Sequence, residues 1–171
     1  MDISGIFLRS AHLKAINGLT LSERPLSIPP HPLSASAGVK TITQKTFIPS
    51  ATPEDVYDAF VTAKTHAAFT GAAATGIARV GAKFTAWDGY IQGVHRELVK
   101  GKKIVQDWQT TEWPSGMPAS RVEFTFTAAK RGTEIRMVHT NVPSSQAAGY
   151  RQGWIDYYWT PLKAYFSGRE E

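Results

Sequence analysis

The sequence predicts an α+β domain in which a curved antiparallel sheet wraps one long C-terminal helix, with a short helical segment after the first strand. Three observations lead there. The chain closes on Arg151-Gln-Gly-Trp-Ile-Asp-Tyr-Tyr-Trp-Thr-Pro-Leu-Lys-Ala-Tyr-Phe166, an aromatic segment at helical spacing. Ahead of it runs a series of stretches that alternate apolar and polar residues, separated by glycines. Earlier still, Thr52-Pro53-Glu54-Asp55 carries the chemistry of a helix start.

Taken in order, residues 1–38 differ from the rest. Pro25, Pro29, Pro30 and Pro32 lie close together and Ser34-Ala-Ser-Ala-Gly38 follows, which is linker chemistry. They read as a disordered N-terminal extension to a domain over 39–168. Asp2, Glu23 and few arginines weigh against an organelle-targeting peptide. Lys40 to Ile48, rich in Thr, Ile and Phe, reads as a strand. Thr52 then offers a hydroxyl cap, Pro53 fills the first helical position, and Glu54 and Asp55 favour the positive helix end. Val56, Phe60 and Ala63 recur at i, i+4 and i+7, so a helix is expected over about 53–64.

Strands are expected near 74–80, 82–87, 90–99, 103–113, 120–128 and 132–140, with Gly81, Gly89, Gly101 and Gly132 at the turns. The clearest alternation puts Val122, Phe124 and Phe126 on one face and Arg121, Glu123, Thr125 and Thr127 on the other. The following strand places Ile135, Met137 and His139 together, opposite Arg136 and Thr140. In the closing helix, expected over 144–166, Trp154, Tyr158, Leu162 and Tyr165 form a stripe widened by Ile155 and Phe166. Tyr157 and Trp159 flank it, so at least one is expected to be exposed, beside Arg151 and Lys163. Pro161 lacks the amide that would bond to Tyr157 and should kink or divide the helix.

Composition narrows the function. The 171 residues suit one domain with a sizeable core. No apolar run reaches the roughly 20 residues a membrane helix needs, so no membrane partner is expected. The lack of cysteine removes thiol chemistry and points weakly to a reducing, cytoplasmic setting. A net charge of +5 invites a nucleic-acid reading. However, Lys100, Lys102, Lys103, Lys130 and Arg131 sit at hairpin tips without interleaved aromatics, so nucleic acid is set aside.

Several segments resemble, in order, the motifs of one family. They are Thr46 to Phe60, Gly81-Ala-Lys-Phe84, Asp88-Gly-Tyr-Ile-Gln-Gly93, Lys103-Ile-Val-Gln-Asp-Trp108, Trp113-Pro-Ser-Gly116, Gly132-Thr133, Val142-Pro143 and Gln152-Gly-Trp154 through Phe166. Together they are similar to the C-terminal domain of the activator of heat-shock protein 90 ATPase, a member of the START-like (SRPBCC) superfamily. That resemblance implies a helix-grip fold over about residues 40–167. It also implies a co-chaperone of the stress response as one functional expectation. The family's full-length activator has a separate N-terminal domain that docks on the chaperone, and residues 1–38 are too few for it, so the activity does not carry over simply.

The chemistry of the residues points away from catalysis. Of five histidines (His12, His31, His66, His95, His139), only His95 has a near acid, Glu97, expected on the same strand face. No third ligand follows, so no metal is expected. Phosphate-cradling glycine motifs and a nucleophile elbow are absent, so neither cofactor nor enzymatic activity is expected. His139 on an inward face would have a lowered pKa, of use to a general base, but a structural role is the simpler reading. Glu97 and Asp107 cannot be paired from sequence.

Two functions lead, ahead of a third in which an enzyme uses the cavity as START-like cyclases do. One is a non-enzymatic binding protein holding a small hydrophobic or amphipathic ligand between sheet and helix, with Trp108, Phe124, Phe126, Met137, His139, Trp154, Tyr158 and Leu162 as walls. The other is a module that binds heat-shock protein 90 and stimulates its ATPase through an exposed basic and aromatic surface.

Overall fold

Val39–Pro49 forms the first strand, β1, in the computed structural model, which describes residues 38–168. The expected extension lies outside the described residues, apart from Gly38. After β1, Thr52 closes a reciprocal cap: its hydroxyl accepts from the Asp55 amide at 3.1 Å, and its own amide donates to the Asp55 carboxylate at 3.0 Å. Such a box stabilises a helix start by about 1 kcal/mol. The helix it opens, α1, spans Pro53–Val61 and buries Val56, Ala59 and Phe60.

The helix expected over 53–64 is in fact two. Thr62 adopts an extended backbone and ends α1, and a second helix, α2, follows over Ala63–Thr70 until Gly71 stops it in the left-handed region. Beyond it come β2 (Thr75–Gly76), β3 (Lys83–Ala86), β4 (Ile91–Val99), β5 (Lys103–Thr110), β6 (Ser120–Ala129) and β7 (Gly132–Pro143). The strand expected over 74–80 shrinks to two residues. Gly76, at φ 117°, sits against the Phe84 backbone, and the chain then leaves the sheet, exposing Ile77 and Val80. The seven strands form one antiparallel sheet in the order β1-β7-β6-β5-β4-β3-β2.

Gly81, Gly89 and Gly101 take positive φ at turns, as expected, but Gly132 does not. There the left-handed position falls to Arg131, and Gly132 is needed for room: a Cβ would strike the Ile48 carbonyl oxygen and the Phe47 ring. The alternation of β6 and β7 holds, with Val122, Phe124, Ile135, Met137 and His139 all buried beneath the helix.

That helix comprises α3 (Ala147–Trp154), a wide turn (Ile155–Trp159) closed by a bond from the Thr160 amide to the Ile155 carbonyl, and α4 (Thr160–Ser167). The helix therefore runs on through Pro161 without being divided, and the π-type turn lies just before the proline. A stripe stepping by four drifts about 40° per step around a regular α-helix. The i→i+5 turn removes part of that drift, so Trp154, Tyr158, Leu162 and Phe166 all reach the sheet. Two expectations fail for the same reason. Trp159 turns inward, donating its indole N–H to the Gln44 side chain at 2.7 Å, and Ile155 turns out to 41% exposure. Tyr157 is half-buried against Trp87.

Candidate ligand cavity

The eight expected wall residues come together: Trp108, Phe124, Phe126, Met137, His139, Trp154, Tyr158 and Leu162 are all buried in one core. Cross-strand register explains the sheet half of the set, since Phe124 lies opposite both Ile104 and Met137. Only Trp108, Phe124, Trp154 and Tyr158 border a cavity. Phe126, Met137, His139 and Leu162 are packed solidly away from it.

The cavity is small because rings fill the space between sheet and helix. Tyr158 stacks parallel to Phe60 with centroids 5.9 Å apart, Phe60 meets Phe124 at 4.6 Å, and Trp154 meets Tyr158 at 4.6 Å. The remaining volume is about 20 Å³, room for about one water. Its other walls include Phe60, His66, Phe84, His95 and Gln106, which sequence reasoning missed. The spacing Ile91, Gly93, His95 could have pointed to His95, because it continues the inward alternation of β4. Gly93 keeps that face open for the Phe84 ring, which a Cβ would meet together with the Asp107 carbonyl oxygen. For His66 the signal was weak, since α2 buries only His66 and Phe69.

The expected pairing of His95 with Glu97 on one face does not occur. A β-bulge at Arg96 inserts one residue, so His95 lies opposite Gln106 and points inward, while Glu97 lies opposite Val105 and points out. Glu97 instead pairs with Lys103 at 3.2 Å. Asp107 lies on the outer face between Arg96 and Arg121. Partial burial raises its carboxyl, but hydrogen bonds and charge from both arginines outweigh that and hold it below the usual range. Glu97 and Asp107 thus serve separate ion pairs. Among the described residues, no group of three or more His, Asp or Glu could hold a metal ion.

His139 is held on both sides. The Trp154 indole donates to its Nδ1 at 3.1 Å, which leaves the proton on Nε2, facing the Ser120 hydroxyl at 2.7 Å. Ser120 in turn donates to the Trp108 carbonyl at 2.6 Å. Burial depresses the imidazole pKa to about 3, and every polar atom is satisfied, so the group ties β5, β6, β7 and α3 together. A second strap joins the β5–β6 loop to α3: Tyr150 donates to the Gln146 side chain at 2.7 Å, and Gln146 donates to the Glu112 carbonyl at 2.8 Å.

His66 contrasts with this. It is 6% exposed, its ring lies 5.5 Å from that of Tyr158, and burial lowers its pKa to about 4. Its Nδ1 has no hydrogen-bond partner, one of two such buried side-chain atoms among the described residues, the other being Trp87 Nε1. His95 is stacked on Phe84 at 4.9 Å, and its Nδ1 accepts only a long bond of 3.4 Å from Gln106. No ionised side chain lines the cavity.

Comparison with known proteins covers nearly all of this domain. Residues 50–167 match the family described as Activator of Hsp90 ATPase homolog 1-like protein. The human activator of 90 kDa heat shock protein ATPase homolog 1 is 36% identical over 127 residues, 74% of this chain and 37% of that protein. A Dictyostelium discoideum homologue is 37% identical over 103 residues, 60% of this chain and 27% of that protein. The chain therefore spans between about a quarter and little more than a third of the curated relatives it matches. Among solved structures, an HSP90 activator from Plasmodium falciparum aligns with a TM-score of 0.66 at 25% identity, covering 75% of this chain and 96% of that one. Ara h 8.0201 shares the fold at 11% identity, with a TM-score of 0.62 over 77% of this chain and 100% of its own. Among the described residues, no helix is long and apolar enough to cross a membrane.

Proposed function

Since this chain belongs to the Activator of Hsp90 ATPase homolog 1-like family, we propose that it is a non-catalytic module that binds heat-shock protein 90 and stimulates its ATPase. The observation carrying this reading is the 36% identity with the human activator, sustained over 127 residues. The interior agrees with it. The core is filled by stacked rings, and Glu97, Asp107, Glu123 and Glu134 are engaged in ion pairs on the outer sheet face, which favours a surface as the part that acts. The chaperone is the partner in this reading, and the cytoplasm is where it would work.

The test is direct: titrate the protein into heat-shock protein 90 from the same source, and measure ATP turnover beside calorimetric binding. A saturable rise in turnover with a matching binding isotherm supports the reading. Binding without stimulation leaves an adaptor, and absence of both eliminates it.

A second reading, the holding of a small hydrophobic or amphipathic ligand between sheet and helix, is favoured by one observation. The cavity is lined by aromatic rings and by His66, whose buried Nδ1 has no partner. In the closed form its volume is that of a water, so this reading requires part of the wall to move.

A further inference from the structure

Resting on that second reading, we propose that α2 is a hinged lid over a closed site for a small neutral phenol, whose hydroxyl pairs with the Nδ1 of His66. Four features converge on it. The first is the unpartnered nitrogen. A buried polar atom without a hydrogen bond is costly, and native structures keep few of them. His66 lines the cavity, its ring beside those of Tyr158 and Phe69, and its Nδ1 is the atom without a partner. A hydroxyl both donates and accepts, so it satisfies either tautomer of the neutral ring.

The second is the composition of the walls. Phe60, Phe124, Trp108, Trp154 and Tyr158 present faces and edges suited to another ring. The third is charge. The lining holds imidazoles, an amide and threonine hydroxyls but no carboxylate, ammonium or guanidinium. A charged head group would be desolvated there without a counter-ion, so the guest is neutral.

The fourth is how α2 is mounted. Thr62 at its start is extended and gives no side-chain cap, while Gly71 at its end is left-handed with open space around it. Only His66 and Phe69 are buried from the eight residues between. On the far side, Ala73 is anchored to Asp88 by its amide at 2.8 Å and its carbonyl at 3.0 Å. Movement is thereby confined to 62–72, between a fixed α1 and a fixed Ala73. Outward rotation of α2 would withdraw His66 from the cavity edge and Phe69 from the rings of Phe60 and Tyr158, and enlarge a water-sized space toward that of a ring. An element with few buried side chains and no side-chain cap at its start belongs to the low-stability end of a fold.

The experiment uses the full chain in an NMR titration with three probes, phenol, toluene and benzoate, together with hydrogen exchange of the α2 amides. Phenol is expected to bind with a Kd of about 1 mM or tighter and about tenfold better than toluene, with benzoate not bound. Saturation with phenol should slow exchange across Ala63–Thr70 relative to the sheet. In His66→Phe, confirmed folded by its spectrum, the preference for phenol over toluene should vanish. Equal affinity for phenol and toluene in the native protein would overturn the hydroxyl–His66 pairing and leave the ligand reading standing. Failure of both to bind would overturn the pairing and the ligand reading together. Exchange of α2 only at the rate of global unfolding would overturn the lid.

Discussion

His139 and His66 are both buried beneath the same helix, and the fold treats them oppositely. His139 is clamped by Trp154 and Ser120, whereas the Nδ1 of His66 faces no partner. The neighbourhoods differ in kind. Around His139, long strands β5, β6 and β7 run side by side and fix every donor. Around His66, an eight-residue helix and a two-residue strand form the wall. Burial alone does not tell a structural histidine from one held for another purpose; the completeness of its hydrogen bonding does.

The largest expected effect is that of acid, which acts on both ends. The folded pKa values, about 4 for His66 and about 3 for His139, lie below the unfolded value near 6.5. The unfolded chain therefore takes up these protons first. Stability is full above about pH 6.5 and falls by roughly 1.4 kcal/mol per pH unit per histidine as pH drops toward the folded values. Burial lowers His95 too, in the same sense. Between pH 7 and pH 4 the loss should be of order 5 kcal/mol, comparable to the stability of a typical domain. Urea midpoints measured across that range would reveal it, and a flat profile would contradict buried, neutral histidines.

Next comes Trp154→Ala, which removes one of the buried indoles of the core and orphans His139 Nδ1. A loss of about 3–5 kcal/mol is expected by chemical denaturation. The comparison is sharpest in a matched pair. His139→Phe strands the Trp154 indole N–H and should cost about 1–3 kcal/mol. His66→Phe removes an atom that had no partner and should be neutral or stabilise by up to about 1 kcal/mol. Equal costs at the two sites would erase the distinction. The smallest effect belongs to the outer face: Asp107→Asn breaks the bridges to Arg96 and Arg121, in solvent, and should cost less than about 1 kcal/mol. Because the folded carboxyl is held low, that small contribution should fade as pH falls below the unfolded carboxylate value.

What could be read from the sequence follows the same division. Val122, Phe124 and Phe126 alternate cleanly because β6 is flanked by strands on both sides, so its inward face has one solution. The Thr52 cap and the aromatic stripe are local signals and emerged as local structure. The β4 bulge is not a local signal: one extra residue at Arg96 reverses every face after it, and nothing in Val-His-Arg-Glu marks the insertion. Helix α2 was hidden because Ala63-Lys-Thr-His-Ala-Ala-Phe-Thr70 has only a faint apolar stripe, with Gly71 its one clear punctuation. The bulge displaced Glu97 from the face of His95, and the cavity inherits the other omission, since His66 reaches it from the unseen helix.

The wide turn at Ile155–Trp159 has a consequence for how relatives of this chain should be aligned. An i→i+5 turn within an α-helix is geometrically an insertion of one residue that leaves the two flanks in phase. A version lacking one of these five positions would form a plain helix and still lay Leu162 and Phe166 on the sheet. The topology would not register the deletion. The change would fall on Tyr158 and Trp159, neighbours that both face inward here and border or back the cavity, so length variation at this point would resize the interior while leaving the scaffold intact.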